Sequence, residues 1–230
     1  MTKKITYAIL ACYVDKGMRS KGSKSLIEFD KKKLLEYQLD RINSANKRNK
    51  TEYEILLVSN FQFAKIKKNF SDQINVIEME QDTNPVATVC KKSKYDTILF
   101  IDYGCVYTKQ IIKNITQKDN ALIVTTNQNN NNNLEVGVFC ENKNHNVRHL
   151  FYGIEKNKFT NMFLLNKTSK HKLLSDKKTH RKNLMYFEIL NYLIEKGVDI
   201  ENYSLEKDSF VYFNNVRQTN GISKFIKKTQ

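Results

Sequence analysis

Arg19 and Lys24 are the residues of this chain best suited to chemistry on an anion. They belong to a polar, basic loop, Tyr13 to Ser23, and its exit at Lys24, which follow the apolar run Ile5–Cys12. A guanidinium grips two phosphate oxygens at once, and an ammonium supplies a compact point charge. Backbone N–H groups of residues 12–17 can line phosphates at the mouth of such a strand. A buried strand that opens into a basic loop, with a lysine where the chain re-enters the core, therefore suits a nucleotide's phosphates. Other constellations are weaker. His145 and His149 lie four apart, a spacing that can share a metal on a helix, but the Asn/Lys-rich surroundings offer no third ligand. His171 and His180 have no partners of note, and no Ser/His/Asp arrangement is legible. Cys12, Cys90, Cys105 and Cys140 show no CxxC spacing and sit in apolar stretches, so they read as reduced core thiols.

The elements that must position that loop follow an α/β pattern. Short apolar runs alternate with amphipathic stretches, which predicts a largely parallel sheet. Expected strands are Ile5–Ala11, Tyr53–Val58, Ile74–Ile77, Thr97–Ile101 and Ala121–Thr126, then Val136–Cys140, Met162–Leu165, Ile200–Leu205 and Phe210–Phe213. Lys31–Arg48 places Leu34, Leu35, Leu39, Ile42 and Ala45 on one helical stripe. Phe61–Phe70 is a shorter helix. Asn84-Pro85 reads as an N-cap with proline at the first helical position of Val86–Lys92. Thr108 is placed to cap Lys109–Ile115, and Thr219 to cap a last helix carrying Ile222, Phe225 and Ile226. A long helix from Lys182 to Lys196 should stop at Gly197. The Asn-rich run 127–133 reads as a loop between strands. Phe159, Phe163, Tyr186, Phe187 and Tyr192 read as core positions.

At 230 residues, 40% of them hydrophobic, the chain is long enough for one sizeable core. No apolar run approaches the ~20 residues that span a bilayer, and the N-terminus lacks a signal-peptide pattern, so a cytoplasmic protein without membrane attachment is expected. The net charge is 39 − 24 = +15. It favours anionic partners, but the basic residues are spread along the chain rather than clustered, which argues against a dedicated nucleic-acid surface.

Taken together, the motifs resemble the GT-A-like nucleotidyltransferases, a superfamily that includes sugar-1-phosphate nucleotidyltransferases and phosphocholine cytidylyltransferases. Leu10-Ala11-Cys12 matches the end of the first strand, Arg19 the loop arginine, and Ser23-Lys24 the Pro-Lys pair. Ser25–Leu39 resembles the short strand and helix that follow. Thr83-Asn84-Pro85-Val86 resembles the stretch beside the base, and Asp96–Gly104 the central strand that delivers a metal-binding aspartate. Val136–Phe139 is similar to an acceptor-side strand, and Tyr212–Thr219 to the closing strand and turn. The resemblance implies a single-domain, Rossmann-like three-layer sandwich with a mixed, mainly parallel sheet. Residues 1–126 would form the nucleotide-binding half and residues 134–230 the acceptor-side half.

The implied reaction transfers a nucleotidyl group from a nucleoside triphosphate to a sugar phosphate or phosphocholine and releases pyrophosphate. Arg19 and Lys24 are then the catalytic cations, and Ala11, Cys12, Thr83 and Asn84 line the nucleotide. Mg²⁺ is the implied cofactor. The family's metal aspartate falls at Gly104, so Asp102, two residues earlier on the same side of the strand, is the substitute; the second acid falls at Asn214 or Asn215. Tyr13, Val14, Asp15 and Lys16 stand where the family has loop glycines. These departures leave a second reading open: a catalytically inactive domain of the same fold, serving as a structural or binding subunit of a viral particle or other assembly.

Overall fold

Strict alternation along the first strand sets the layers. In β1 (Lys4–Ala11), Ile5, Tyr7, Ile9 and Ala11 pack on one face, and Ala8 and Leu10 on the other. A strand apolar on both faces must be covered on both. β1 pairs in parallel with β4 (Glu52–Ser59) on one side and β6 (Ile98–Asp102) on the other. β5 (Asn75–Glu78) extends the sheet beyond β4, also in parallel. β11 (Lys158–Leu165) runs antiparallel to β6, β8 (Ala121–Thr125) and β9 (Val136–Cys140). β10 (Val147–Tyr152) pairs with β9, and β12 (Glu201–Ser204) with β8.

This computed structural model describes residues 3–12, 18, 21–47, 51–80, 82–126, 135–141, 146–153, 155–206 and 208–229. Among them, nine strands form one mixed, mainly parallel sheet with the path β10-β9-β11-β6-β1-β4-β5. Helices α1 (Leu34–Asn46), α2 (Phe63–Phe70) and α4 (Lys109–Ile115) cover the face that carries Ile5, Tyr7 and Ile9. Helices α3 (Pro85–Lys92), α5 (Lys167–Ser175) and α6 (Tyr186–Glu195) cover the other. The three-layer sandwich expected from the sequence is therefore present. Helix α7 (Thr219–Thr229) adds a smaller cluster, laying Ile222 and Ile226 with Phe29, Leu34 and Phe213. Among the described residues no helix is long and apolar enough to cross a membrane.

Several expected boundaries move for local reasons. Lys32 and Lys33 do not begin α1; they form β3 (Lys32–Lys33), which pairs with β2 (Glu28–Phe29) around a turn with left-handed Asp30 (φ 47°) and Lys31 (φ 69°). The helix expected from Lys182 starts only at Tyr186, where the Glu188 carboxylate accepts from the Met185 N–H at 2.7 Å. Its expected end holds: Gly197 has φ 71°. Thr108 and Thr219 do not cap through their side chains; the Thr219 hydroxyl donates instead to the Val216 carbonyl. β10 and α5 are additions that the sequence pattern did not announce. His145 and the 127–133 run lie outside the described residues.

Asn84 behaves as a cap and as a tie. Its Oδ1 accepts from the Ala87 N–H at 2.9 Å, and its amide group donates to the carbonyls of Thr179 and Arg181. One side chain therefore starts α3 and binds it to the 3-10 turn Lys177–His180. Replacing an N-cap costs ~1 kcal/mol, and each buried hydrogen bond lost adds a comparable amount. Asn84→Ala is expected to lower the unfolding free energy by about 2 kcal/mol in urea denaturation, and Asn84→Asp should lose at least as much, because it keeps the cap but sets a buried carboxylate against the Thr179 and Arg181 carbonyls.

Candidate functional site

The topology picks out one edge of the sheet. From β1 the chain moves outward through α1 to β4 and β5, then returns through α3 to β6 on the other flank of β1. Strand order reverses between β1 and β6, and open α/β sheets bind ligands in the crevice beyond the carboxyl ends at such a reversal. The two ends are level: Leu10 pairs with Asp102, and the Tyr103 N–H donates to the Leu10 carbonyl at 3.1 Å.

Lys24 arrives at this edge from the 3-10 turn Lys24–Leu26 and is 0% exposed. Its Nζ lies 4.7 Å from the ring centroid of Tyr103 and 5.1 Å from that of Tyr212. Aromatic faces attract a cation, and more strongly where water is excluded. Asp102 ends β6 and is buried; its Oδ1 accepts from the Gly104 N–H at 2.8 Å and the Tyr212 hydroxyl at 3.1 Å. The Cys105 thiol senses both charges. Burial pushes its pKa well above the ordinary thiol value, Asp102 raises it further, and Lys24 pulls it back. Lys24 and Asp102, far apart in sequence, thus meet in one buried cluster with two tyrosines.

Gly104 is where this cluster is tightest. A Cβ there would meet the Phe213 carbonyl oxygen at 2.6 Å, Lys24 Nζ at 2.9 Å and the Tyr212 ring at 3.1 Å. The space for an aspartate side chain is already filled, partly by a lysine ammonium. Magnesium takes oxygen ligands, commonly one or two carboxylates with phosphate and water. Here Asp102 is buried with one oxygen holding two hydrogen bonds, a cation stands nearby, and no cluster of three His, Cys, Asp or Glu occurs among the described residues. Asn215 is exposed, and its Oδ1 caps the turn Val216–Gln218 through the Arg217 N–H at 2.9 Å. The pair Asp102 and Asn215 is divided between core and surface. These residues do not fit a magnesium ion.

The other predicted residues distribute as follows. Ala11 and Cys12 sit at the end of β1; the Cys12 thiol donates to the Val58 carbonyl, and its pKa is pushed up to about 12 by burial and then by Asp102. Thr83 and Asn84 precede α3. The Thr83 hydroxyl shares a 2.9 Å hydrogen bond with Thr88, and the amide of Asn84 is spent on the contacts described above. Arg19 and residues 13–17 lie outside the described residues. Sequence reasoning names Tyr103 only as a side chain that could fill this pocket, and it gives Tyr212 no contact with Lys24. Tyr103 follows Asp102, and Tyr212 opens the stretch Tyr212–Thr219 that was singled out, but nothing in a one-dimensional pattern says that their rings close on Lys24.

Comparison with solved structures identifies this architecture. The inositol-1-phosphate CTP transferase from T. maritima superposes with a TM-score of 0.73 at 12% identity, over 97% of this chain and 96% of that one. The chain has the nucleotidyltransferase fold. The nucleoside-diphosphate-sugar pyrophosphorylase from Vibrio cholerae matches at TM-score 0.70 and 14% identity, over 96% and 99% of the two chains. The CTP:phosphocholine cytidylyltransferase from Streptococcus pneumoniae matches at 0.70 and 15%, over the same shares. No protein-family model and no curated protein sequence matches the chain. At these identities the nucleotidyltransferase fold is shared almost end to end, while side chains have diverged nearly everywhere.

Three outcomes follow from this packing. Gly104→Ala should destabilise the protein by roughly 1–3 kcal/mol in urea unfolding, because neither a backbone carbonyl nor the enclosed lysine can yield cheaply. Cys12, Cys90 and Cys105 are buried with raised pKa values, and Cys140 is half-buried. A thiol probe at pH 8 should therefore label Cys140 first in the native protein and reach the other three only on unfolding. The raised values also set a pH trend. Cys12 and Cys90 shift from 9.0 to about 12, so the folded state holds these thiols neutral where the unfolded chain ionises them. Their contribution is intact below pH 9 and is lost as pH rises from there toward 12. Melting temperature should fall across that window.

Proposed function

We propose that the chain binds a nucleoside triphosphate beyond the ends of β1 and β6 and transfers its nucleotidyl group to a phosphorylated small-molecule acceptor, a sugar phosphate or phosphocholine. One observation carries this reading above the others: Lys24 and Asp102 belong to one buried cluster, joined through Tyr212, at the point where strand order reverses. In the reaction, an acceptor phosphate oxygen attacks the α-phosphorus in line. The new P–O bond forms as the bond to the β-phosphate oxygen breaks, and pyrophosphate carries away the electron pair. Catalysis of this kind is mostly positioning and charge neutralisation. Lys24 supplies positive potential at the strand ends, where low dielectric strengthens it, and Arg19 grips phosphate from the loop. Ala11, Cys12 and Thr83 would border the nucleotide. Residues 1–126 would serve the nucleotide and residues 134–230 the acceptor. No step is assigned to magnesium.

The filled space at Gly104 favours a second reading: the same fold kept as a binding or structural subunit of a viral particle or another assembly, with protein partners in place of turnover. Thermal shift with the four nucleoside triphosphates separates the two, each with and without Mg²⁺ or Mn²⁺, followed by a pyrophosphate-release assay with candidate acceptors. The transferase reading expects at least one nucleotide to raise the melting temperature. It also expects Lys24→Met to weaken that nucleotide by about tenfold or more, the scale of one lost charge contact. No shift with any nucleotide and no pyrophosphate would leave the subunit reading.

A further inference from the structure

Charge is concentrated in one region of the folded chain. Helix α3 and the stretch from α5 through residue 182 comprise 24 residues, 85–92 and 167–182, with nine Lys or Arg against one Asp. Their net charge, 9 − 1 = +8, is more than half of the +15 of the whole chain. This overturns the even spread expected from the sequence. Both segments lie in the layer that covers the Ala8 and Leu10 face of the sheet. Asn84 ties the start of α3 to the turn Lys177–His180, and Thr83 bridges Arg181. At the other end Lys170 is 7% exposed, and its ammonium donates to the Ser93 and Tyr95 carbonyls at 3.3 and 3.0 Å. α3 and α5 are therefore fixed side by side, fastened at both ends.

What this pair turns outward is cationic. Lys92, Lys177, Lys178, Arg181 and Lys182 are exposed, and among the described residues none has a carboxylate at ion-pair distance. Asp176, the one acid of the two segments, spends its carboxylate on the Lys178 N–H at 2.8 Å and the Tyr192 hydroxyl at 2.9 Å. Acids of adjoining elements meet the margins. Glu80 pairs with Lys91 at 3.0 Å, and Asp96 with Lys167 at 3.9 Å and Lys170 at 3.5 Å. Asp82, Glu188 and Glu195 are exposed outside the two segments. Neither segment exposes a Phe, Tyr or Trp to stack on an unpaired base, nor an apolar side chain to enter a bilayer. Lysine meets a phosphate as a point charge and reads no sequence. RNA duplexes are recognised through 2′-hydroxyls as well as phosphates, whereas here the exposed cations outnumber the exposed hydroxyls, Thr168 and Ser175. The row is also long enough: α5 alone spans ~13 Å, and each DNA strand presents a phosphate about every 3.4 Å of axis. We propose that the α3–α5 face and its turn are a docking surface for the phosphate backbone of duplex DNA, bound without regard to sequence. Nucleotidyl transfer is not required for it.

The test follows a labelled DNA duplex of about 20 base pairs by fluorescence anisotropy as the full chain is added, from about 50 to 200 mM salt. The proposal expects a Kd of about 1–100 µM near physiological salt, weakening steeply as salt rises and counterions are no longer released at a gain. Lys92→Gln, Lys177→Gln and Lys178→Gln combined remove three exposed cations that no ion pair holds. This triple should weaken binding by about tenfold or more and flatten the slope of log K against log salt by about two to three. Lys65→Gln, Lys68→Gln and Lys224→Gln combined lower the net charge equally, from exposed positions on α2 and α7. That control should weaken binding by less than about threefold. Equal losses from the two triples overturn the surface, because net charge alone then accounts for binding. Absence of binding at the lowest salt overturns it as well. A single strand of the same length, or a duplex of RNA, binding more tightly than duplex DNA overturns the choice of partner. Vesicles of phosphatidylserine and phosphatidylcholine form the last arm: sedimentation with them that the first triple abolishes, without DNA binding, assigns the face to a membrane and overturns the proposal.

Discussion

A lysine ammonium withdrawn from water is the constraint around which this molecule is arranged. Burying an uncompensated charge costs several kcal/mol even after relaxation, so the fold must answer it locally. Tyr103 and Tyr212 present ring faces to Lys24, and Asp102 supplies the opposite charge to the same cluster. Asp102 is answered in turn by the Gly104 N–H and the Tyr212 hydroxyl. The groups that satisfy one charge are thus positioned by the groups that satisfy the other.

That mutual dependence ties three distant parts of the chain. The turn after the basic loop supplies Lys24, the central strand ends in Asp102, and β13 (Phe210–Tyr212) brings Tyr212. β13 pairs with β7 (Cys105–Tyr107), and the Phe213 N–H donates to the Gly104 carbonyl at 2.8 Å. The closeness of this contact is why residue 104 has no side chain. A longer side chain there would need volume that the Lys24 ammonium already occupies. Beside it, Tyr212 also lines a cavity of about 180 Å³, so one ring borders both the Lys24 cluster and that space.

Much of the scaffold was legible because burial on both sheet faces leaves a plain mark. The strands around β1 read correctly since a continuous apolar run has no other stable home in a chain of this size, and Asn84-Pro85 announces a helix start through side-chain and φ constraints that act within four residues. Elements held mainly by tertiary contacts were silent. In α5 the sequence Lys167–Ser175 offers the core only Leu173 and the half-buried Leu174, and β10 breaks strand alternation with the adjacent polar pair Arg148 and His149 at a sheet edge. The early start assigned to α1 failed because Lys32 and Lys33 are good helix formers that a hairpin turn captured first. Phe159, Tyr186 and Phe187 were legible as apolar but not as cavity walls, since residue type does not tell a filled core from a lined one.

By itself the sequence determined the layered α/β architecture, the strand–loop–lysine entry and the absence of an aspartate at position 104, because these depend on local periodicity and residue identity. Only the tertiary structure decided that Lys24 is enclosed, that Asp102 joins its cluster through Tyr212, that Asn215 stays outside, and that five aromatic rings line one cavity. The reason is physical: desolvation and ring–charge geometry are properties of groups that meet in space, and no spacing along the chain encodes which distant residues will remove water from one another.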